Sequence, residues 1–177
     1  MSYEQQSRYI SQRLMNFTGE GLDTLALEVF RFQARHNATY AEYLSLLGIP
    51  PSDIRTVADI PFLPVSFFKT HCIKTGKWPA RVTFTSSGTT GPATSRHPVR
   101  DIAFYKKNTE RGFERFYGHP SGFRILALLP SYIERTGSSL LCMANHFIGL
   151  STYPESGFFL HHTDELLKAL EKSKKDR

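Results

Sequence analysis

The chain has 177 residues, 40% of them hydrophobic, so it is long enough for one domain with a real core but too short for two large ones. Its formal charge is +6, from 22 Lys and Arg against 16 Asp and Glu, and the basic residues are spread along the sequence except for a cluster at the end. This diffuse excess suits small anionic ligands, and without a basic stripe interleaved with aromatic residues it argues against specific nucleic-acid binding.

The sequence also bears on the compartment in which the chain works. No apolar run approaches the roughly 18 residues of a membrane span, and the N-terminal residues lack the apolar core of a signal peptide. Cys72 and Cys142 stand far apart, which predicts neither a zinc site nor a disulfide framework and fits a reducing compartment. We expect a cytoplasmic protein in which Cys142, set among apolar neighbours, is buried.

Residues 3–48 predict a helical lobe, because apolar residues recur there at helical spacing. Three stripes define three helices: Ile10, Leu14 and Phe17; Leu22, Leu25, Ala26 and Val29; and Tyr40, Tyr43, Leu44 and Leu47, with Gly48 as the stop. Phe30, Phe32, Tyr40 and Tyr43 have the pattern of an acyl channel or of a plain core, and we interpret them as core because aromatic residues at this spacing are usually buried for packing.

Residues 49–80 are rich in proline and predict a connector. A short helix is expected from Val65 to Thr70, because Pro64 fits the first turn, where its missing N–H costs nothing. Beyond the connector, Val82 and Phe84 alternate with polar neighbours, which predicts a strand that runs into the next loop.

That loop reads Ser-Ser-Gly-Thr-Thr-Gly over residues 86–91. Glycine allows close backbone approach, and the hydroxyl groups add donors to the backbone N–H groups, so the segment has the chemistry of a phosphate-binding nest. The spacing is not that of a Walker loop, because Pro92 and Ala93 follow Gly91, and it is not that of a dinucleotide-binding loop. A plain surface turn is the alternative for such a composition.

The rest of the chain predicts alternating helices and strands. Asp101 is expected to cap a helix that runs to about Tyr117, and Phe123–Leu129 reads as a strand covered on both faces. A helix from Leu140 to Ile148 follows, with inward residues expected at Leu140, Ala144, Phe147 and Ile148. Thr163 is expected to cap a last helix with acidic residues in its first turn and lysines at its end.

The sum of these elements predicts an α/β fold with an N-terminal helical lobe and a parallel or mixed sheet with flanking helices. We expect one domain over residues 1–177, divided into the lobe (1–48), the connector (49–80) and an α/β part (81–177) that holds the loop.

Several segments resemble one enzyme superfamily. The run Ser86–Gly91 resembles the phosphate loop of the adenylate-forming enzymes, which include acyl-CoA synthetases and peptide-synthetase adenylation domains. The doubled serine, with Ser95-Arg96-His97 and Asp101 after it, is most similar to the acyl-protein synthetases of the fatty-acid reductase system of bacterial bioluminescence. Pro61 to Lys69 and Leu129 to Leu140 resemble the same branch, so the similarity covers roughly residues 57–150.

The resemblance implies an AMP-forming acid–thiol ligase and the large domain of that superfamily as the fold. The carboxylate of a long-chain fatty acid or another acid would attack ATP to give an acyl-adenylate, and the acyl group would pass to a protein or CoA thiol. ATP and Mg²⁺ are the implied cofactors, and no metal ligands among the side chains are predicted. The residues implied to hold the phosphates are Thr85, Ser86, Ser87, Gly88, Thr89, Thr90, Gly91 and Arg96.

The chain also departs from the superfamily pattern. Thr94 stands where a lysine usually closes the loop, and we expect Arg96 to supply that charge; Ile133 and Glu134 replace the usual aromatic or histidine. The motifs of the second half of these enzymes are not visible after Leu150, so the chain resembles a front half. It would then be a fragment, a subunit completed by a partner chain, or a non-catalytic nucleotide-binding or interaction domain.

Two further hypotheses stay open from the residues alone. His97 and His146 are the imidazoles nearest these segments, and each has a possible catalytic role, although a lone histidine is more often an ordinary polar residue. The chain could also be a helical adaptor whose Ser/Thr loop is only a turn or a phosphorylation target.

Overall fold

The computed structural model describes residues 1–86, 94–131 and 136–175. Within them the chain forms two compact units, each with buried residues of its own. The first consists of Met1–Ala80 and the described part of Gly88–Pro98; the second consists of Arg81–Ser87 and Val99–Arg177, again as far as they are described. A single domain over the whole chain stays a prediction.

The first unit begins with the three predicted helices, which are confirmed. They are α1 (Tyr3–Met15), α2 (Leu22–His36) and α3 (Ala38–Leu46), and both α1 and α3 pack against α2. Ser2 and Gln5 form a capping box at the start of α1, in which each side chain accepts from the other residue's N–H. Gly48 has φ of 66°, the left-handed conformation that glycine adopts most easily, so the predicted stop after α3 is confirmed.

The predicted stripes describe the buried face of these helices only in part. The core consists of Phe30, Ala34, Tyr40, Leu44, Ile54 and Ile60. Leu14, Leu22 and Leu47 are 43%, 58% and 46% exposed, so these three members of the stripes do not lie in the core. Leu14 and Leu22 border an open cavity, and Leu47 lies beyond the last residue of α3.

The proline-rich stretch contributes more than a connection. It holds two 3₁₀ turns, Pro51–Asp53 and Val57–Asp59, and the short helix α4 (Phe67–Thr70). The turn that leads into α4 begins at Pro64, whose carbonyl accepts from the N–H of Phe67 at 3.0 Å, as the position of the proline predicts. Ile54 and Ile60 are 5% and 8% exposed, so this stretch closes one side of the helical core.

Strand β1 (Val82–Thr85) is present as predicted, and a second short strand, β2 (Arg96–Val99), was not expected. The N–H of Arg81 donates to the carbonyl of Val99 at 2.9 Å. Helix α5 (Ile102–Tyr117) follows, and the carboxylate of Asp101 accepts from the N–H groups of Ala103 and Phe104 at 2.9 and 3.0 Å. The predicted cap of α5 is therefore confirmed.

The second unit contains a parallel strand pair joined through a helix. Strand β3 (Leu126–Ala127) pairs with β4 (Gly157–Phe158) in the register Leu126 to Gly157 and Ala127 to Phe158. Helix α6 (Ser139–Leu150) lies between them in the chain and begins after the cap residue Ser138. Parallel pairing connected through a helix is the α/β pattern expected from the sequence, so the mixed α/β class is confirmed.

Two expectations in this region are wrong. Strand β3 is shorter than the predicted Phe123–Leu129, since its partner β4 also has only two residues. The segment is not covered on both faces either, because Leu128 is 58% exposed. Leu140 is 50% exposed, whereas Leu141 and Cys142 are buried. Helix α6 is apolar on nearly every side, so spacing alone could not select its inward face.

The last described element is α7 (Thr163–Lys175), which begins at the residue predicted as its cap. The Lys172 side chain of this helix forms an ion pair with Glu155. The Oε2 atom of Glu155 also lies 3.7 Å from the Nε atom of Arg124. The guanidinium of Arg124 sits over the ring of Tyr153 at 4.4 Å. These contacts fasten α7 to the segments beside β3 and β4.

Candidate functional sites

The end of β1, where the predicted phosphate loop starts, is anchored by the segment before α6. The N–H of Thr85 donates to the carbonyl of Gly137 at 2.8 Å. Gly137 has φ of 85°, and a Cβ atom there would lie 3.4 Å from the carbonyl oxygen of Thr83, so a glycine fits this crossing best. The last residues of β1 are therefore held by a backbone contact across about fifty positions of sequence.

Side chains reinforce the same anchor. Phe84 is 4% exposed, and its ring lies 4.9 Å from that of Tyr105 on α5. The hydroxyl of Tyr105 donates to the carbonyl of Ser139 at 2.9 Å, at the first turn of α6. Burial raises the pKa of Tyr105, and the nearby Cys142 adds to the shift, so the phenol stays a neutral donor. The strand, α5 and the start of α6 form one packed corner.

Only part of the predicted phosphate site lies in the described chain. Thr85 ends β1, and Ser86 follows it as an exposed residue. Arg96 begins β2 and is also exposed. The predictions for Ser87, Gly88, Thr89, Thr90 and Gly91 lie outside the described residues.

His97, one of the two candidate imidazoles, belongs to the first unit. Its ring stacks on that of Phe68 with 4.4 Å between centroids, and its Nε2 atom lies 3.3 Å from the hydroxyl of Ser95. Phe68 in turn lines a cavity of the helical lobe. The imidazole therefore packs on a side chain of the cavity wall.

That cavity has a volume of about 500 Å³ and lies within the first unit. Its walls come from α1, α2, the start of α3 and the stretch from Ile60 to Ile73. Phe30 and Tyr40 are 4% and 5% exposed, so they belong to the core, as predicted, and also line the cavity. Our interpretation of them as core alone is therefore incomplete.

The polar groups at the cavity are few. Among the residues that the structure describes, no charged side chain lines the cavity; the amides are Gln33, which is exposed, and Asn37, which is 4% exposed. The hydroxyl of Tyr40 donates to the carbonyl of Pro61 at 2.9 Å. Sequence reasoning missed Asn37, because its position just before α3 signals a helix cap and gives no hint of a ligand.

The second candidate imidazole, His146, belongs to a charged cluster around Glu110 on α5. Glu110 is 8% exposed, with Lys107 Nζ at 2.6 Å, His146 Nε2 at 3.3 Å and His119 Nε2 at 3.6 Å. The hydrogen bond from Lys107 lowers the pKa of Glu110 against the opposing effect of burial, and His146 lowers it further. Sequence reasoning could not predict this cluster, because its members come from three separate segments.

The remaining predictions on cysteines, metals and membrane spans can be compared with the described residues. Cys142 is buried, as expected, and Cys72 is exposed. Within residues 1–86, 94–131 and 136–175, no three His, Cys, Asp or Glu side chains are grouped to hold a metal ion. Over the same ranges, no helix has the length and apolar character needed to cross a bilayer.

Protein-family models, curated proteins and solved structures were each compared with the chain, and none of the three comparisons found a match. The family resemblance therefore remains a hypothesis that depends on the motifs in the sequence.

Proposed function

We propose that the chain is the phosphate-binding front part of an AMP-forming acid–thiol ligase, which activates a long-chain fatty acid as its acyl-adenylate for transfer to a protein or CoA thiol. The observation that carries the proposal is the hydrogen bond from the Thr85 N–H to the Gly137 carbonyl. It joins the residue just before the Ser86–Gly91 run to the Leu129–Leu140 segment, which also resembles this superfamily and lies far away in sequence. Contact between them is what one shared site requires.

The chemistry asked of the loop is charge stabilisation. The acid's carboxylate attacks the α-phosphorus of ATP, the bond to the bridging oxygen breaks, and pyrophosphate leaves with that electron pair. Donors from Ser86 to Thr90 would hold the β- and γ-phosphates, and each hydrogen bond to a charged oxygen contributes roughly 1.5–3 kcal/mol. Three or four such bonds lower the barrier mainly by positioning and by stabilising charge on the leaving group.

In this proposal the magnesium ion arrives with the nucleotide. The described side chains offer no group of three or more carboxylate, histidine or cysteine ligands. Magnesium is commonly held by substrate phosphates and waters with few protein ligands, and there it would neutralise phosphate charge. The protein's own share of the work is then the hydroxyl and backbone N–H donors of the loop and the charge of Arg96.

The test is calorimetric titration of the chain with Mg-ATP and with pyrophosphate. The variant combines Gly88→Val with Thr89→Ala, and we expect it to lose saturable binding because a side chain at Gly88 blocks close approach of the phosphates. Gly149→Val with Thr24→Ala makes the same chemical changes on α6 and α2, where a Cβ at Gly149 meets no atom within 4 Å, and should bind as the wild type does.

The outcomes separate activation from plain binding. Pyrophosphate release that needs both decanoate and Mg-ATP supports the ligase. Binding without release in the chain alone would favour a non-catalytic nucleotide-binding domain that needs a partner chain for turnover. No binding by the wild type, or equal binding by the loop variant, would contradict a phosphate loop and leave a surface turn.

A further inference from the structure

The cavity in the helical lobe has the dimensions and lining of a ligand site. Its volume of about 500 Å³ falls inside the range of roughly 300–1,000 Å³ that small-molecule pockets occupy. Leu25, Phe30 and Ile60 are 3%, 4% and 8% exposed and give it deep apolar walls. The cavity is open to solvent on one side, and an apolar occupant would gain free energy by burying its surface against these walls.

The lining excludes a buried charge. The described part of the chain places no charged residue in the cavity wall, and the hydroxyl of Tyr40 already donates to the carbonyl of Pro61. A carboxylate or an ammonium group inside would lose its hydration without gaining an ionic partner, which is strongly unfavourable. The occupant is therefore uncharged in the part that enters the cavity.

Asn37 supplies the polar recognition. Its Oδ1 atom accepts from the N–H of Tyr40 at 3.2 Å, which caps α3 and fixes the orientation of the amide. The residue is 4% exposed and lines the cavity, and no acceptor for its Nδ2 group is present among the described residues. The Nδ2 atom is not among the fully buried side-chain atoms that lack a partner, so it keeps accessible surface, and a carbonyl oxygen of a ligand in the cavity would accept from it.

We infer that the cavity binds an uncharged single-chain lipid with a carbonyl head, of the fatty amide or fatty ester class. The hydrocarbon chain packs among the apolar walls, and the carbonyl accepts from Nδ2 of Asn37. The exposed amide of Gln33 and the exposed ring of Phe62 border the entrance. This inference does not rest on the proposed ligase activity, because it involves neither the loop nor ATP.

Calorimetric titration with hexanamide, octanamide and decanamide tests the apolar part. Burial of each added methylene should tighten binding about fourfold, and each added pair about fifteenfold. Decanoate and decylammonium, which have a similar chain and a charged head, should bind at least about tenfold more weakly than decanamide. A flat chain-length series, or decanoate binding as tightly as decanamide, would overturn the inference.

Two variants locate the site. Ala26→Phe fills the cavity from α2 and should abolish decanamide binding, whereas Ala103→Phe makes the same change at an exposed position of α5 and should not. Asn37→Asp keeps an oxygen for the cap of α3 but removes the Nδ2 donor, so methyl decanoate, whose ester head accepts hydrogen bonds and donates none, should bind about tenfold more weakly or worse. Thermal unfolding of each variant establishes that it is folded before titration.

Lipid binding in the cavity should not depend on the phosphate loop. Gly88→Val with Thr89→Ala should leave decanamide binding unchanged, and Ala26→Phe should leave Mg-ATP binding unchanged. Unchanged decanamide binding in folded Ala26→Phe, or unchanged methyl decanoate binding in folded Asn37→Asp, would place the ligand elsewhere and overturn the assignment. If the wild type does not bind Mg-ATP but binds hexanamide, octanamide and decanamide with the expected increase in affinity, the ligase proposal is rejected and the lipid site stands.

Discussion

Glu110 is an acidic residue of the second unit whose side chain is largely buried and paired with basic groups. A carboxylate that is 8% exposed is costly to keep ionised unless it is paired, and here Lys107 and His146 both donate to it. The net effect on Glu110 is a lowered pKa, with the hydrogen bond from Lys107 as the main cause. The folded protein therefore holds this carboxylate ionised more firmly than the unfolded chain does.

A lowered pKa in the folded state has a defined consequence for stability. The unfolded chain takes up the proton first, near the ordinary value of 4.5, so the contribution of Glu110 is complete above that pH and is lost as the pH falls through the lower folded value. Glu110→Gln should lower the free energy of unfolding by about 1–3 kcal/mol at pH 7, because charge-assisted hydrogen bonds are lost. The difference from the wild type should shrink below pH 4.5, as measured by urea unfolding across pH.

Glu114→Gln is the matched control for that measurement. Glu114 lies one turn further along α5 and is exposed, so the same substitution there should change the free energy of unfolding by no more than about 0.5 kcal/mol. Equal effects at the two positions, or a difference for Glu110→Gln that persists at pH 3, would show that the pairing contributes nothing specific.

At the scale of elements, α5 depends on its cap. Asp101 satisfies two of the N–H groups that the first turn leaves without helical partners, at Ala103 and Phe104. Asp101→Ala should destabilise the protein by about 1 kcal/mol, whereas Asp101→Asn, which keeps an acceptor oxygen, should cost much less. Thermal and urea unfolding at pH 7 measure both. A cost for Asn equal to that for Ala would mean that the cap bonds are not the source of the loss.

The elements also show which features the sequence could predict. Caps and helical periodicity are local, so Asp101, the spacing of Leu25 and Val29, and the stop at Gly48 sufficed to place the helices. The extent of β3 depends on its partner β4, whose two residues carry no strand pattern. The inward face of α6 was ambiguous for a related reason, since neighbours distant in sequence decide between Leu140 and Leu141.

The candidate sites were predictable to different degrees. The loop could be proposed because glycine and hydroxyl residues cluster in six consecutive positions, which is a local signal. The cavity could not, because it is the space left between α1, α2 and the stretch from Ile60 to Ile73, and no spacing rule describes an unfilled volume. The same holds for Glu110, whose partners His119 and His146 are brought close only by the packing of α5 and α6.

Over the whole molecule, each compact unit has a core built from its own segments. In the first, Leu44 is 2% exposed and packs in a cluster with Phe30, Tyr40 and Ile60. In the second, Phe113 joins Phe123 and Phe147, with ring centroids 5.3 and 4.9 Å apart. Because each core is contained in one unit, the effect of a core substitution can be assigned to that unit by measuring hydrogen exchange at the backbone amides of the same unit.

Leu44→Ala should lower the free energy of unfolding by about 2–5 kcal/mol, through lost burial and the void it leaves. Hydrogen exchange should show the loss at the amides of α2 and α3, which pack around this side chain. Leu46→Ala is the control on the same helix, because Leu46 is 81% exposed, and it should change stability by no more than about 0.5 kcal/mol. Equal losses at both positions would mean that the helical lobe is not held by a core centred on Leu44, and the cavity beside it would then lack the rigid wall that a specific ligand site needs.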